Sequence, residues 1–180
     1  GVDTVGWLKG LGLEQPTVSD KAINLPWPLF RQLVLQAQKL TKEPSFGLLV
    51  GQRLLVNTHG VLGYAAMNST SIRQGAELVE RFMPLRNDLL SASIVEADQQ
   101  FHIRLTENFD LQDIRRPTLE AIILALKNIM DFIAPAYASE CGLSFPFASD
   151  DSADLLQTLC HCPVRYEQSW AGLFIPLALV

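Results

Sequence analysis

Between Leu90 and Leu105 the apolar residues leave the helical period and alternate strictly, and this change limits the folds open to the chain. Leu90, Ala92, Ile94 and Glu96 alternate with Ser91, Ser93, Val95 and Ala97. Ala97-Asp98-Gln99 marks a turn, after which Phe101, Ile103 and Leu105 alternate with His102, Arg104 and Thr106. A period of two places successive side chains on opposite faces of a strand. The segment therefore predicts a β-hairpin whose second strand has one apolar and one polar face. His102 and Arg104 share the polar face.

On both sides of the hairpin the pattern is mainly helical. Residues 3–12 predict a short helix with Val5, Trp7, Leu8 and Leu11 apolar, and Gln15-Pro16-Thr17 a turn. Ala22 to Pro26 reads as extended, because a residue before proline avoids the helical region. From Pro28 to Leu40 the residues Leu29, Phe30, Leu33, Val34, Ala37 and Leu40 form one stripe at helical spacing. Pro44 suits the first turn of the next helix, which runs to about Leu54. Gly60 to Met67 and Ile72 to Met83 predict two more helices, the second capped by Thr70 or Ser71.

After the hairpin, Leu111 to Tyr137 predicts a long buried helix, with Pro117 as a candidate true start. Leu143 to Phe147 reads as a strand, Asp151 to Leu159 as a short helix, and Cys162–Tyr166 and Ser169–Ile175 as two closing strands. The order is a helical N-terminal half, a β-hairpin, a long central helix, then strand–helix–strand–strand, which predicts an α+β fold.

At 180 residues a single domain over 1–180 is the natural expectation. Hydrophobic residues make up 48% and charged residues 18%, a globular composition. Mean hydropathy of +0.18 leaves room for a large core, a buried interface or an apolar pocket. Net charge is −5 and the pI about 5.1, so these residues would repel a phosphate backbone instead of binding DNA. The longest apolar stretch, Leu119 to Ile133, contains Glu120, Lys127, Asn128 and Asp131 and predicts no membrane span. The opening Gly-Val-Asp-Thr lacks a basic region and hydrophobic block, which leads to the expectation of a cytoplasmic protein. Three cysteines, an odd number, suggest free thiols.

Several groupings invite chemistry. Cys160-His161-Cys162, with Cys141, His59 and His102, could suggest a metal, but a zinc site needs four ligands in spaced pairs. Small buried residues ahead of a strand account for the run better, and no metal or cofactor is expected. A thiol nucleophile needs a histidine within hydrogen-bond reach, which adjacency along a strand does not supply. Gly47-Leu-Leu-Val-Gly51 lacks the lysine and glycine spacing of a phosphate loop. Gly60 and Gly63 permit either close helix packing or room for a ligand beside Tyr64. Arg73 is either a solvated helix arginine or a partner for a carboxylate. His102 and Arg104 are either an exposed sheet face or a polar pocket wall. Trp7, Trp27 and Trp170 read as core or interface residues.

Residues 59–83 carry a family resemblance. His59, Gly60, Gly63, Tyr64, Ala65, Ser69, Thr70, Arg73, Ala76, Arg81 and Phe82 match a pattern of the ligand-sensing N-terminal domain in one branch of AraC/XylS-type bacterial transcription regulators. Two further segments match in the same order: Leu25-Pro26 onward through Thr41, Glu43, Pro44, Phe46, Gly47, Leu48 and Gly51, and the Cys-Pro-Val run within Leu159–Val164. The chain resembles that domain over nearly its whole length. The resemblance implies a domain that senses a small molecule and pairs as a homodimer. It also implies that a C-terminal helix-turn-helix domain, absent from these 180 residues, makes the DNA contacts. Effectors of relatives look like amino acids, fatty acids or other catabolites, and nothing in the sequence favours a sugar despite the arabinose in the domain's usual name. Tyr64, Met67, Arg73, Phe101, His102 and Arg104 are the expected ligand neighbours, with no catalytic residue. Rival readings are a thiol-dependent hydrolase using Cys160 or Cys162, and a metal- or haem-binding sensor.

Overall fold

Alternation produces the expected hairpin. In the computed structural model, which describes residues 3–13, 24–85 and 87–180, β1 (Leu90–Ala97) and β2 (Gln100–Glu107) pair antiparallel. Their register runs from Leu90 opposite Glu107 to Ala97 opposite Gln100. Asp98 and Gln99 both adopt positive φ, 51° and 59°, as a two-residue type I′ turn demands. The chain divides into two compact units, residues 1–46 and 47–180. The first contains α1 (Thr4–Gly10), capped by Asp3, and α2 (Trp27–Thr41), which opens with prolines on either side of Trp27. Leu8, Val34 and Ala37 are its buried residues on these helices. The expected turn at 15–17 and the start of the 22–26 extended segment lie outside the described residues.

α3 (Phe46–Arg53), which lies in the second unit from Gly47 on, α4 (Val61–Met67) and α5 (Ile72–Phe82) precede the hairpin, and α6 (Arg115–Ile133) follows it. Ser71 caps α5 by accepting from Gln74 N at 3.2 Å, one of the two caps the sequence offers. The chain closes with β3 (Gly142–Ser144), α7 (Ala153–Cys160), β4 (Val164–Arg165) and β5 (Ala171–Pro176). The five strands form one sheet ordered β1-β2-β5-β3-β4, antiparallel except for the β3–β4 pair. Phe101, Ile103 and Leu105 of β2 are buried on one face, beside Leu173 and Ile175 of β5. α5 packs on β1 and α6 on β5, so the helices supply the second layer. At the β1 edge the Glu80 carboxylate of α5 accepts from Ile94 N at 3.1 Å, occupying a backbone donor that would otherwise recruit another strand.

The two glycines of Gly47-Leu-Leu-Val-Gly51 set the α3–α6 distance. A Cβ on Gly47 would lie 2.6 Å from the Pro117 carbonyl oxygen, and one on Gly51 2.7 Å from Leu124 Cβ and 2.8 Å from the Ala121 carbonyl oxygen. Asn128 of α6 then donates to the Gly51 and Leu54 carbonyls at 3.1 and 3.2 Å, occupying acceptors at the C-terminal end of α3. Gly63 has a similar role: a Cβ there would meet the Val56 carbonyl oxygen at 1.8 Å. These contacts make the run a packing device. Gly51→Ala is expected to cost on the order of 1–3 kcal/mol, as overpacking of a tight contact does, read as a lowered urea midpoint with unchanged slope.

α6 buries charge as well as apolar surface. Glu120 is 4% exposed; Arg116 Nε donates to its Oε1 at 2.9 Å while Arg116 also pairs with Asp150 at 2.8 Å. Lys127, 2% exposed, donates to both Asp131 oxygens at 2.5 Å and to the Ala138 carbonyl at 2.9 Å. Burial pushes the Glu120 carboxyl up to about 6, against the pull of Arg116. Because the folded value lies above the ordinary 4.5, this group's contribution is complete below pH 4.5 and is lost as pH rises through about 6. The loss amounts to roughly 2 kcal/mol. Glu120→Gln should therefore be the more stable protein at pH 8, with the gap closing towards pH 4.5 in urea titrations at both pH values.

Candidate functional site

The face of the sheet opposite Phe101 gathers the polar residues of β2. His102 lies opposite Phe174 of β5, and Arg104 lies opposite Gly172. Gly172 has φ 142°, and a Cβ there would sit 2.0 Å from the Ile103 carbonyl oxygen, so only glycine lets the two strands meet beside Arg104. His102 is buried and stacks on Trp170, with centroids 4.6 Å apart and planes 23° apart. Arg104 sets its guanidinium 5.0 Å from the centre of the same indole.

Hydrogen bonding fixes the histidine tautomer. Arg104 Nη2 has only protons to give, so His102 Nδ1 accepts from it at 3.0 Å. The ring proton then sits on Nε2 and is donated to Gln100 Oε1 at 3.3 Å. The same amide oxygen accepts from Arg165 Nη1 at 3.1 Å, and the Arg165 guanidinium lies 3.8 Å over the Phe174 ring. Burial, followed by the Arg104 and Arg165 charges, holds the imidazole below its ordinary 6.5, with Asp98 opposing. Beside this row a cavity of about 480 Å³ opens, walled by Ser93, Val95, Arg104, Glu107, Pro146 and Trp170, among others. Glu107 is occupied by Arg115 at 2.7 Å. Among the described residues no carboxylate pairs with Arg104, and its Nε is buried without a hydrogen-bond partner.

The six expected ligand neighbours fall in three places. His102 and Arg104 form the row just described, and Arg104 lines the cavity. Phe101 is wholly buried on the other face, and Arg73 of α5 lies 5.1 Å over its ring. Arg73 does meet a carboxylate, but it is the chain's own: Glu96 at 2.7 Å, the cross-strand neighbour of Phe101. Tyr64 is 69% exposed on α4. Met67 lines an open groove of about 510 Å³ with Leu55, Val56, Asn128, Asp131 and Phe132. Trp170 departs from its reading as a core or interface residue, because it precedes β5 and its ring is a stacking surface for His102 and Arg104. Gln100 and Arg165 escaped sequence reasoning. Gln100 carries the same two-residue spacing as His102 and Arg104, whereas nothing local in the sequence brings Arg165 to that strand.

The cysteines are free thiols, as the odd count suggests. Cys160 donates to Cys162, which raises the Cys160 thiol and lowers that of Cys162, and burial pushes Cys141 up to about 12. His161 between them is exposed in the left-handed conformation at the end of α7. Among the described residues no cluster of three or more His, Cys, Asp or Glu side chains is arranged to hold a metal ion. Among the same residues no helix is long and apolar enough to cross a membrane.

Residues 1–180 match the family model described as the arabinose-binding domain of AraC transcription regulators, N-terminal, and the chain belongs to that family. It is 26% identical over 147 residues to the ornithine utilization regulator of Pseudomonas aeruginosa, covering 82% of this chain and 43% of that protein. The crystal structure of the transcriptional regulator CdpR, also from Pseudomonas aeruginosa, superposes with a TM-score of 0.51 at 17% identity, over 89% of this chain and 58% of that one. At that identity the likeness speaks for the fold. The chain thus spans less than half of the curated relative and somewhat more than half of the structural one.

The depressed His102 contributes stability above pH 6.5 that is lost as pH falls through its folded value. Arg104 both donates to Nδ1 and places a positive charge beside the ring. Arg104→Gln should therefore raise the His102 titration midpoint, while burial still keeps it under the ordinary value. Imidazole proton resonances followed over pH 4–8 would show it, and an unmoved midpoint would remove Arg104 as a cause.

Proposed function

We propose, from membership of this family, that the chain is the effector-sensing and dimerisation domain of an AraC-type transcription regulator, acting in the cytoplasm. One domain over 1–180 binds a small organic molecule. An attached helix-turn-helix domain, by this reading, makes the DNA contacts that an acidic domain does not. The mechanism is population shift: an effector that binds one conformation better biases how the DNA-binding domain is presented. Both relatives are regulators, and neither is an enzyme by name. The rival thiol-hydrolase and haem-sensor readings find no support in them.

The observation that carries the effector reading is Arg104. Its guanidinium stands at a cavity wall, held in place by Trp170 and His102 and, among the described residues, matched to no carboxylate. The wall combines apolar surface from Val95, Pro146 and Trp170 with an at least equal share of polar groups, more polar than the usual small-molecule site. His102, Arg104, Trp170 and Gln100 are the residues proposed to line or orient it. Of the other expected neighbours, Arg73 and Phe101 support the sheet from the helix side, Met67 lines the groove, and Tyr64 is exposed on α4. That groove, with Leu55, Met67 and Phe132 exposed, supports the dimerisation part of the reading.

A thermal-shift screen against amino acids, fatty acids, sugars and aromatic catabolites tests the proposal. Amino acids come first because one relative is named for ornithine utilization. A ligand bound only by the folded state adds roughly 2.7 kcal/mol of stability at a hundred times its dissociation constant, so the melting temperature should climb with concentration for one chemical class. A flat response from folded protein across the panel would leave a dimerisation module without an effector. Sedimentation equilibrium should return twice the chain mass, and Phe132→Glu should shift it towards the monomer.

A further inference from the structure

We infer that the cavity beside Arg104 binds a carboxylate: its ligand is a small organic acid, free or as the carboxyl end of an amino acid, with a compact apolar body. This rests on the effector reading above and narrows it to one class.

The first argument is charge. The chain has 14 basic residues against 19 acidic ones, so unmatched cations run against its overall sign. Three of this unit's described guanidiniums are matched to carboxylates: Arg73 to Glu96, Arg115 to Glu107, Arg116 to Glu120 and Asp150. On the outer face of β2 and β4, Arg104 and Arg165 have aromatic rings and uncharged acceptors instead. Two like charges gathered on one sheet face repel, and an anion placed between wall and water relieves that repulsion.

The second argument counts donors and acceptors. His102 Nδ1 and Gln100 Oε1, the acceptors of the row, are used within it. What remains at Arg104 is donor capacity: Nη protons beyond the one given to His102, and an Nε that is buried without a partner and closed to a ligand in this arrangement. A planar fork of N–H groups with an empty position is completed by a carboxylate, which accepts two parallel bonds. A sugar or other neutral ligand would leave the charge unmatched. The third argument is the wall. Val95, Pro146 and Trp170 offer apolar surface, and the volume of about 480 Å³ suits a small molecule. The Glu107 carboxylate on the same wall is neutralised by Arg115 and does not repel an incoming anion.

The probes are benzoate and benzamide, hexanoate and hexanamide, and L-phenylalanine and its amide, by thermal shift and calorimetry at pH 7 and fixed ionic strength. The acids should stabilise the protein and the matched amides should not. Arg104→Gln should weaken acid binding roughly tenfold or more, as loss of a charge-assisted pair does, with Arg104→Lys in between and the exposed Arg53→Gln unchanged. A preference for L-phenylalanine over benzoate would identify the amino-acid form, and the reverse the plain acid.

Amides that bind as well as acids, or acid binding that survives Arg104→Gln, would overturn the carboxylate inference and leave the sensor standing. No response to any compound of this set or of the neutral panel would overturn both. Should Arg104→Gln fail to fold, wild-type protein still decides. A carboxylate seated against Arg104 offsets that guanidinium, one of the charges that lower the imidazole, so saturating benzoate should raise the His102 midpoint in imidazole resonances. An unmoved midpoint with benzoate bound would overturn the inference.

Discussion

The alternation of β2 is the constraint on which residues 47–180 depend. β2 pairs with β1 on one side and β5 on the other, so its side chains have no freedom to slip. A one-residue shift would carry Phe101, Ile103 and Leu105 off the helix layer and put His102 and Arg104 into it. Burying an unmatched guanidinium costs far more than the apolar contacts would return. The apolar and polar residues therefore enforce the same register from opposite faces. The core and the candidate site are two consequences of one pattern.

That coupling explains how much could be read without coordinates. The hairpin, its turn, the cap at Ser71 and the shared face of His102 and Arg104 are local, and local spacing encodes them. Boundaries moved where tertiary contacts decide. The long helix is regular from Arg115 to Ile133, shorter at both ends than the expected Leu111–Tyr137, because short 3₁₀ segments occupy the flanks. The pairing of β5 with β2 has no local signal, and with it went Trp170 and Arg165. Both residues reach the row only because the last strand returns to the middle of the sheet.

The expected set of ligand neighbours shows the same division. Residues two apart on one strand stayed together, whereas residues joined only by family pattern separated. Tyr64 and Met67 sit on α4, and Arg73 found an internal carboxylate. A sequence states that an arginine would suit a carboxylate but not whether the chain already provides one. Glu96 lies 23 residues away and meets Arg73 only through the packing of α5 on β1. Charges in the central helix gave a similar lesson. Glu120, Lys127 and Asp131 argue against a membrane span, and two of them prove to be almost wholly buried, each with an opposite charge beside it.

Those buried pairs bear on how an effector could be felt beyond its cavity. Burial of an ion pair is weak evidence for stability, since desolvation offsets much of the attraction, but the geometry it requires is narrow. Arg116 ties Glu120 of α6 to Asp150 ahead of α7, and Lys127 ties Asp131 to the Ala138 carbonyl beyond the helix end. α6 in turn packs on β5, whose first residues follow Trp170 directly. A ligand that moves Trp170 acts at the start of the strand against which α6 rests, and one that moves Arg104 acts on its neighbour β2. The ion pairs and the Lys127 bond to Ala138 hold α6 to defined neighbours at both ends. A rigid element with few permitted positions is what a two-state sensor needs, because an effector biases such an equilibrium only through contacts that differ between its states.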